Sequence, residues 1–317
     1  MDTMRERFAR VTAELLDSDP RLAVVLADIS ADMFRHARKR HPARVVNLGI
    51  REQLLISVAG GMALTGLRPI AHTFASFLVE RPFEQIKLDL NHQAGSGGAV
   101  LVSSGASFDY SGAGRTHQSP GDVVLLGTLP GWSVHVPGHP DEAEHLLRSA
   151  AAAEGLVYLR LSALVNAAPL AQGDGFTVLR RGTRASVIAV GPLADAVIAA
   201  TAGLDVTVLY APTIRPFDRQ ALRATLTAPV VVLAEPYLAG TSVPEVAAAL
   251  ADVPHRVLGL GVAREELRRY GTPQQHQAAH GLDAASLRQR IAAFAGVQGG
   301  WQRAGAGQDA GLRPRQR

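Results

Sequence analysis

A carboxylate at the edge of an apolar run is the first place to look for chemistry in this sequence. Glu52 follows Asn47-Leu48-Gly49-Ile50-Arg51 and introduces the stretch Leu54 to Leu67, rich in Ala, Gly and aliphatic residues. Two readings stand. Acids are common in first helical turns, where the helix dipole favours them; a carboxyl at the rim of an interior is also one whose pKa can be raised for proton transfer. Three further segments carry reactive or stacking side chains: His72-Thr73-Phe74-Ala75-Ser76-Phe77, the loop Tyr110-Ser111-Gly112-Ala113-Gly114-Arg115-Thr116-His117-Gln118, and Thr213-Ile214-Arg215-Pro216-Phe217-Asp218. A histidine in a glycine-rich loop suits proton transfer near neutral pH as well as simple solvation, and the phenylalanines suit a core as well as a stacking platform. With no cysteine in the chain, disulfides, thiolate nucleophiles and Cys-ligated metal sites are excluded.

The elements that position these residues follow from hydrophobic patterning. Apolar, β-branched runs at Leu22–Leu26, Pro69–Thr73, Ala99–Ser103, Trp132–Val136 and Val157–Leu161 read as buried strands of a parallel sheet, with Val45–Leu48 a shorter one. Helices are expected at Glu52–Leu64, Phe83–Asn91, Asp122–Leu129 and Asp141–Ala153. A second set of strands follows at Ala185–Val190, Val206–Tyr210, Val230–Ala234 and Arg256–Leu260, with helices near Ala194–Ala202, Arg219–Leu226 and Val243–Ala251. The expected fold is therefore two consecutive α/β domains with mainly parallel sheets, over residues 1–165 and 184–295. A linker spans 166–183, and 296–317 is a disordered tail by composition. Each reactive segment comes just after a predicted strand, and in open parallel sheets ligands bind beyond the carboxyl ends of strands.

The chain has 317 residues, 47% of them hydrophobic, which is enough for a substantial core. No run approaches the ~20 apolar residues of a membrane span, and the start, Met1-Asp2-Thr3-Met4-Arg5-Glu6-Arg7, lacks a signal peptide's apolar core, so no membrane association and a cytoplasmic location are expected. The pI near 9.8 rests on a net charge of only +4 spread over scattered arginines. No basic stripe alternates with aromatics, which argues against a nucleic-acid partner. The eleven histidines are dispersed, so no protein-ligated metal site is expected.

Taken together, Gly49-Ile50-Arg51-Glu52, Thr73-Phe74-Ala75-Ser76-Phe77 and Thr116-His117-Gln118 resemble segments of the transketolase family of thiamine-diphosphate enzymes, and the resemblance runs from about residue 5 to residue 295. It covers the family's pyrimidine-binding and C-terminal domains. Thr213-Ile214-Arg215-Pro216-Phe217-Asp218 and Glu235-Pro236-Tyr237 with Gly240 are similar to segments of the latter. The resemblance implies that Glu52 bonds to the ring nitrogen of the cofactor's aminopyrimidine and that Phe74 and Phe77 flank that ring. The cofactor's own amino group, as its imino tautomer, then removes the thiazolium proton. A carboxyl in a water-poor pocket favours that tautomer by exchanging a proton with the ring. Aspartate would fall a methylene short, and glutamine could not transfer the proton. His117 is implied as the residue that contacts substrate oxygens or shuttles a proton, with His72, Arg115 and Arg160 as further substrate-site candidates.

The departures bear on substrate. Ala113-Gly114-Arg115 stands where the family commonly has an acid before Thr-His-Gln, and in Leu159-Arg160-Leu161-Ser162-Ala163 the last residue stands where the family has a phosphate-binding arginine. Gly173-Asp174-Gly175 copies the family's magnesium motif, but it lies in the linker, and the three asparagines, Asn47, Asn91 and Asn166, all precede it. The diphosphate-binding domain is thus expected on a separate N-terminal subunit, which would carry the magnesium ligands. The implied assembly is an α2β2 heterotetramer in which this chain, inactive alone, transfers a ketol unit between small sugar substrates. Arg68-Pro69-Ile70 and Glu84-Gln85-Ile86 equally resemble deoxyxylulose-phosphate synthases and 2-oxo acid dehydrogenase beta chains, and a catalytically silent regulatory subunit is a third reading.

Overall fold

A computed structural model describes residues 2–93, 97–266 and 268–297. In the first half, α1 (Met4–Ser18), β1 (Leu22–Leu26), α2 (Arg35–Arg40), β2 (Val45–Asn47), α3 (Glu52–Leu64) and β3 (Arg68–Phe74) lead into a π-helical turn, Ser76–Glu80. Then come α4 (Phe83–Gln85), a second π-helical segment (Ile86–His92), β4 (Val100–Ser104), α5 (Asp122–Leu126), β5 (Trp132–His135), α6 (Pro140–Ala152) and β6 (Leu156–Arg160). The second half runs β7 (Thr177–Arg180), β8 (Ser186–Val190), α7 (Ala194–Ala200), β9 (Thr207–Ala211), β10 (Thr213–Arg215), α8 (Arg219–Thr225), β11 (Val230–Leu238), α9 (Val243–Ala249), β12 (Arg256–Val262), α10 (Pro273–Ala279) and α11 (Ala284–Ala295).

These form a seven-stranded sheet ordered β10-β5-β6-β4-β3-β1-β2 and a five-stranded sheet ordered β12-β11-β8-β9-β7. Each is parallel except for one edge strand, β10 on β5 and β7 on β9. The central strands are buried along their whole length, as a sheet covered on both faces requires. In β3, Ile70 faces a core shared with Phe8 of α1 and Leu146 of α6, whereas Ala71 faces one shared with Leu55 and Ile56 of α3. Alternate side chains thus hold helices on opposite faces. Glycine sets how close α3 comes to its neighbour: a Cβ on Gly60 would stand 2.4 Å from the Asp89 carbonyl oxygen.

The two α/β domains match the expected architecture, with differences at the joins. Strand β7 lies inside the segment read as linker. Strand β10, absent from the expected strands, completes the first domain's sheet through Thr213 opposite His135, so the second half contributes an edge to the first. The patterning also passes over α1, α2, α10 and α11. Of the segment read as a tail, Gly296 ends α11 in a left-handed conformation and Val297 packs on the second core; 298–317 lie outside the described residues. Among the described residues no helix is long and apolar enough to cross a membrane.

Candidate active site

Three crossings from the carboxyl end of the first sheet build the site: β2 into α3, β3 into the π-helical turn, and β4 into the loop that follows. Gly49 turns the chain out of β2 with positive φ, and Glu52 becomes the first residue of α3. Its carboxylate is only 2% exposed, at the helix end where the dipole favours negative charge. It accepts a hydrogen bond from Arg81 Nη1 at 2.7 Å. The same guanidinium lies over the Phe77 ring, 4.3 Å from its centroid. Arg81 follows Phe77 by four positions across the Ser76–Glu80 turn, which brings the two side chains onto one face.

Phe77 and Phe74 are half-buried, with centroids 6.1 Å apart and planes inclined by 58°. His117 packs edge-on against both, at 5.0 Å from Phe77 and 5.6 Å from Phe74. Its Nδ1 is bonded to Thr116 Oγ1 at 3.0 Å, which restrains the ring's rotation. Tyr110 closes the cluster, 4.6 Å from Phe74. Gly105 makes room for this: with φ of +68°, a Cβ there would stand 2.4 Å from Tyr110 Cδ2 and 3.0 Å from Phe74 Cδ1. The loop from Ser107 to Ser119 is closed by a bridge between those two residues. A segment after β12 straps it from outside: Ser111 Oγ donates to the Gly271 carbonyl at 2.8 Å, Gln118 Nε2 to the Arg269 carbonyl at 3.0 Å, and Arg115 Nε pairs with Glu266 at 3.0 Å.

Glu52, Phe74, Phe77 and His117 therefore meet in one cluster, while three other candidates do not join it. His72 is sealed in the interior. Its Nδ1 bonds the Val102 carbonyl, its Nε2 bonds Ser30 Oγ, and Phe8 packs on the ring at 4.6 Å. Burial pulls its pKa down from 6.5 to about 4, so it is neutral at ordinary pH, and its ring is fully enclosed within this chain. Arg160 is also buried; it donates to Asp122 at 2.7 Å and to Ser107 Oγ at 2.7 Å. Burial alone would pull its pKa down, but the Asp122 carboxylate more than offsets this and holds it up. Its side-chain hydrogen bonds are all made within the core. Arg115 is exposed and tied to Glu266. Elsewhere, Asp218 caps α8 by accepting from the Ala221 amide, and Glu235 accepts from the Ser242 amide of its own domain. Asp174 pairs with His145. Among the described residues no group of three or more His, Asp and Glu side chains is placed to hold a metal ion.

Behind Tyr110 lies a cavity of about 380 Å³ lined by Arg5, Glu6, Ser104, Gly105, Ser162 and Ala163 among others, the Glu6 carboxylate accepting from Thr3. Arg5 is half-buried, bonded to Ser30 Oγ at 2.9 Å, and no carboxylate stands within ion-pair distance among the described residues. Ser104 Oγ is buried without a partner. Nearby Asp109, which accepts from the Ala163 amide, is pushed up to about 6 by burial. A larger cavity, about 610 Å³, lies between the domains around His135, Asp218 and Arg219 and shares no residue with the cluster.

The family model of the transketolase pyrimidine-binding domain matches residues 2–164, and that of the transketolase C-terminal domain matches residues 175–287. The chain belongs to the transketolase family. It is 54% identical over 294 residues to an uncharacterized 33.6 kDa protein of the fasciation locus of Rhodococcoides fascians, covering 91% of this chain and 94% of that one. To one chain of the apulose-4-phosphate transketolase of Actinobacillus succinogenes it is 31% identical, over 68% of this chain and 74% of that one. Its fold is similar to a solved split-gene transketolase in an inactive β4 tetramer, with TM-score 0.80, 27% identity, and coverage of 94% of this chain and 99% of the other. The transketolase content is that of the C-terminal subunit of a split enzyme.

Within this transketolase framework, sequence reasoning passes over Arg81, Arg5 and the partner of Arg160, Asp122. The spacing of Phe77 and Arg81 is the available signal for the first. The other two depend on contacts between segments far apart in the chain, Arg5 with Ser30 and Asp122 with Arg160, which no local pattern encodes.

Proposed function

We propose that this chain is the subunit of a two-chain transketolase that binds the aminopyrimidine of thiamine diphosphate and helps transfer a two-carbon ketol unit from a ketose to an aldehyde. The observation that carries the reading is the Glu52 carboxylate, nearly sealed from solvent yet bonded to a planar N–H donor placed over the Phe77 ring. A pocket that accepts such a donor has the acceptor and the stacking surface an aminopyrimidine needs, so these residues fit the cofactor. When bound, thiamine diphosphate supplies the electron sink for cleaving a carbon–carbon bond beside a carbonyl. Glu52 holds and moves the proton at Oε2. Phe77 and Phe74 stack and exclude water. His117, restrained by Thr116, donates to or accepts from substrate oxygens at the mouth.

The diphosphate and magnesium are held by a partner subunit, and the active form is an α2β2 heterotetramer. The cavity behind Tyr110 takes the far end of the substrate. Arg5, without a carboxylate partner, and Ser104, without any, offer donors to an anionic group such as a phosphate beside the Glu6 carboxylate, which is tied to Thr3, and Ala163 removes the cation a transketolase otherwise carries. The name of the Actinobacillus relative, with its phosphorylated sugar, agrees with that chemistry.

The test is two-carbon transfer by this chain assembled with a diphosphate-binding subunit, in thiamine diphosphate and magnesium. Glu52→Gln is expected to lower turnover at least ~100-fold, and Arg5→Gln to raise KM for a ketose phosphate while sparing the unphosphorylated ketose. An assembled, cofactor-loaded complex that cleaves no ketose would overturn the reading.

A further inference from the structure

The Arg81 guanidinium touches the same two groups that the cofactor's aminopyrimidine is proposed to use. It is planar, it presents N–H donors in its plane, it lies 4.3 Å from the Phe77 centroid, and it donates to Glu52 Oε2 at 2.7 Å. While the arginine sits there, the ring face beneath it and the Oε2 site it uses are closed to a second planar donor. Arg81 is also built to leave. Its side chain is 39% exposed, whereas that of Glu52 is 2% exposed, so the arginine reaches the acid from the rim. Its other described hydrogen bond is made by its backbone, to the Ser76 carbonyl at 3.2 Å, and a rotation about the side-chain torsions leaves that intact. A guanidinium swung outward regains full hydration, while the Glu52 carboxylate stays fixed at the head of α3.

On the reading that Glu52 and Phe77 hold the aminopyrimidine, we propose that Arg81 is a gate on the cofactor site: its guanidinium stands in for the aminopyrimidine and must be displaced when thiamine diphosphate binds. The consequence is thermodynamic. Cofactor affinity is reduced by the fraction of chains in which the arginine holds the site, and removing the competitor restores it. The stand-in also screens a sealed carboxylate that would otherwise lack a partner, so the acid survives in a water-poor place until the cofactor arrives.

Displacement predicts a sign that ordinary electrostatics does not. Deleting a cation beside a site for a diphosphate-bearing ligand weakens binding by simple charge attraction; deleting a competitor strengthens it. The experiment is a calorimetric titration of thiamine diphosphate, with magnesium, into the assembled two-subunit complex carrying wild-type chain, Arg81→Gln, Arg81→Lys, Glu52→Gln or Phe77→Ala. Arg81→Gln is expected to lower Kd about 5- to 10-fold, a factor that corresponds to the arginine holding the site in some 80–90% of chains. Arg81→Lys, charged but unable to stack as a plane, is expected to fall between it and wild type. Melting of each complex without cofactor checks that the variants are folded. An unchanged or raised Kd in folded Arg81→Gln overturns the gate. Glu52→Gln and Phe77→Ala separate this failure from failure of the underlying reading: if both weaken binding while Arg81→Gln does not tighten it, the cofactor site stands and the gate falls. If neither alters Kd, both fall.

Discussion

Two carboxylate–arginine pairs, each closed at 2.7 Å, sit within the first domain and have opposite characters. Asp122 and Arg160 are sealed: their side chains are 0% and 1% exposed, Arg160 also reaches Ser107, and Tyr158 donates to the same Asp122 carboxylate. Glu52 and Arg81 are lopsided, an enclosed acid met by a rim arginine with a ring beneath it and room to move. The difference teaches that charge type and separation do not distinguish structure from function. What does is whether one partner can swing into solvent while an incoming ligand takes its place on the other. Arg160 cannot, and it locks β6 against α5 and the loop after β4. Arg81 can, and the acid it leaves behind faces the place where an incoming ligand is proposed to sit.

The comparison breaks most readily at the sealed pair. Arg160→Met leaves Asp122 charged in the interior and is expected to cost about 3–5 kcal/mol in urea unfolding, whereas Asp122→Leu with Arg160→Met costs much less because no charge is stranded. If the single variant kept full stability and lost only substrate affinity, Arg160 would belong to the site after all.

His72 tests the sealed region by pH. Its pKa in the fold is depressed from 6.5 to about 4, so the unfolded chain binds the proton first and stability is lost as pH falls from 6.5 towards 4. The loss from this residue amounts to about 3 kcal/mol. The urea midpoint of His72→Gln should therefore change less over that range than the wild type's, and an equal slope in both would show that the histidine takes up its proton as readily in the fold as in the unfolded chain.

At the rim, Gly105→Ala is expected to cost about 1–2 kcal/mol from its left-handed backbone and to displace Tyr110 from Phe74. Near-ultraviolet circular dichroism of the aromatic cluster, unaltered in a destabilised variant, would contradict the second half of that expectation. The smallest effect belongs to the strap. The Arg115–Glu266 pair is exposed, so a double-mutant cycle of Arg115→Gln and Glu266→Gln should return a coupling below about 1 kcal/mol that fades with salt. A large, salt-independent coupling would make the strap a structural element of the loop.

How far this was legible depends on how local each signal is. Glu52 stands out because a turn, an acid and an apolar helix follow one another within a few residues, and α3 forms at the expected bounds. The buried strands stand out for the same reason. Strand β10 does not, because its partner β5 lies far earlier in the chain and belongs to the other domain; β7 is short and half-exposed. His72 misleads because it lies in a strand that leads into the site, and its true surroundings depend on α1, whose Phe8 covers it. Arg160 misleads likewise, since its position at the end of β6 says nothing of Asp122, which comes from α5. A single residue type carries no burial information until the element packed against it is known.

The central claim is that Glu52 moves a proton rather than holding the fold together. The most direct measurement is the rate at which the thiazolium carbon of thiamine diphosphate exchanges its proton for deuterium on the assembled complex, followed by proton NMR after acid quench. In Glu52→Gln this exchange is expected to slow at least ~100-fold, in a complex that still holds cofactor and melts within a few degrees of wild type. Exchange at the wild-type rate in a cofactor-loaded Glu52→Gln complex would contradict it.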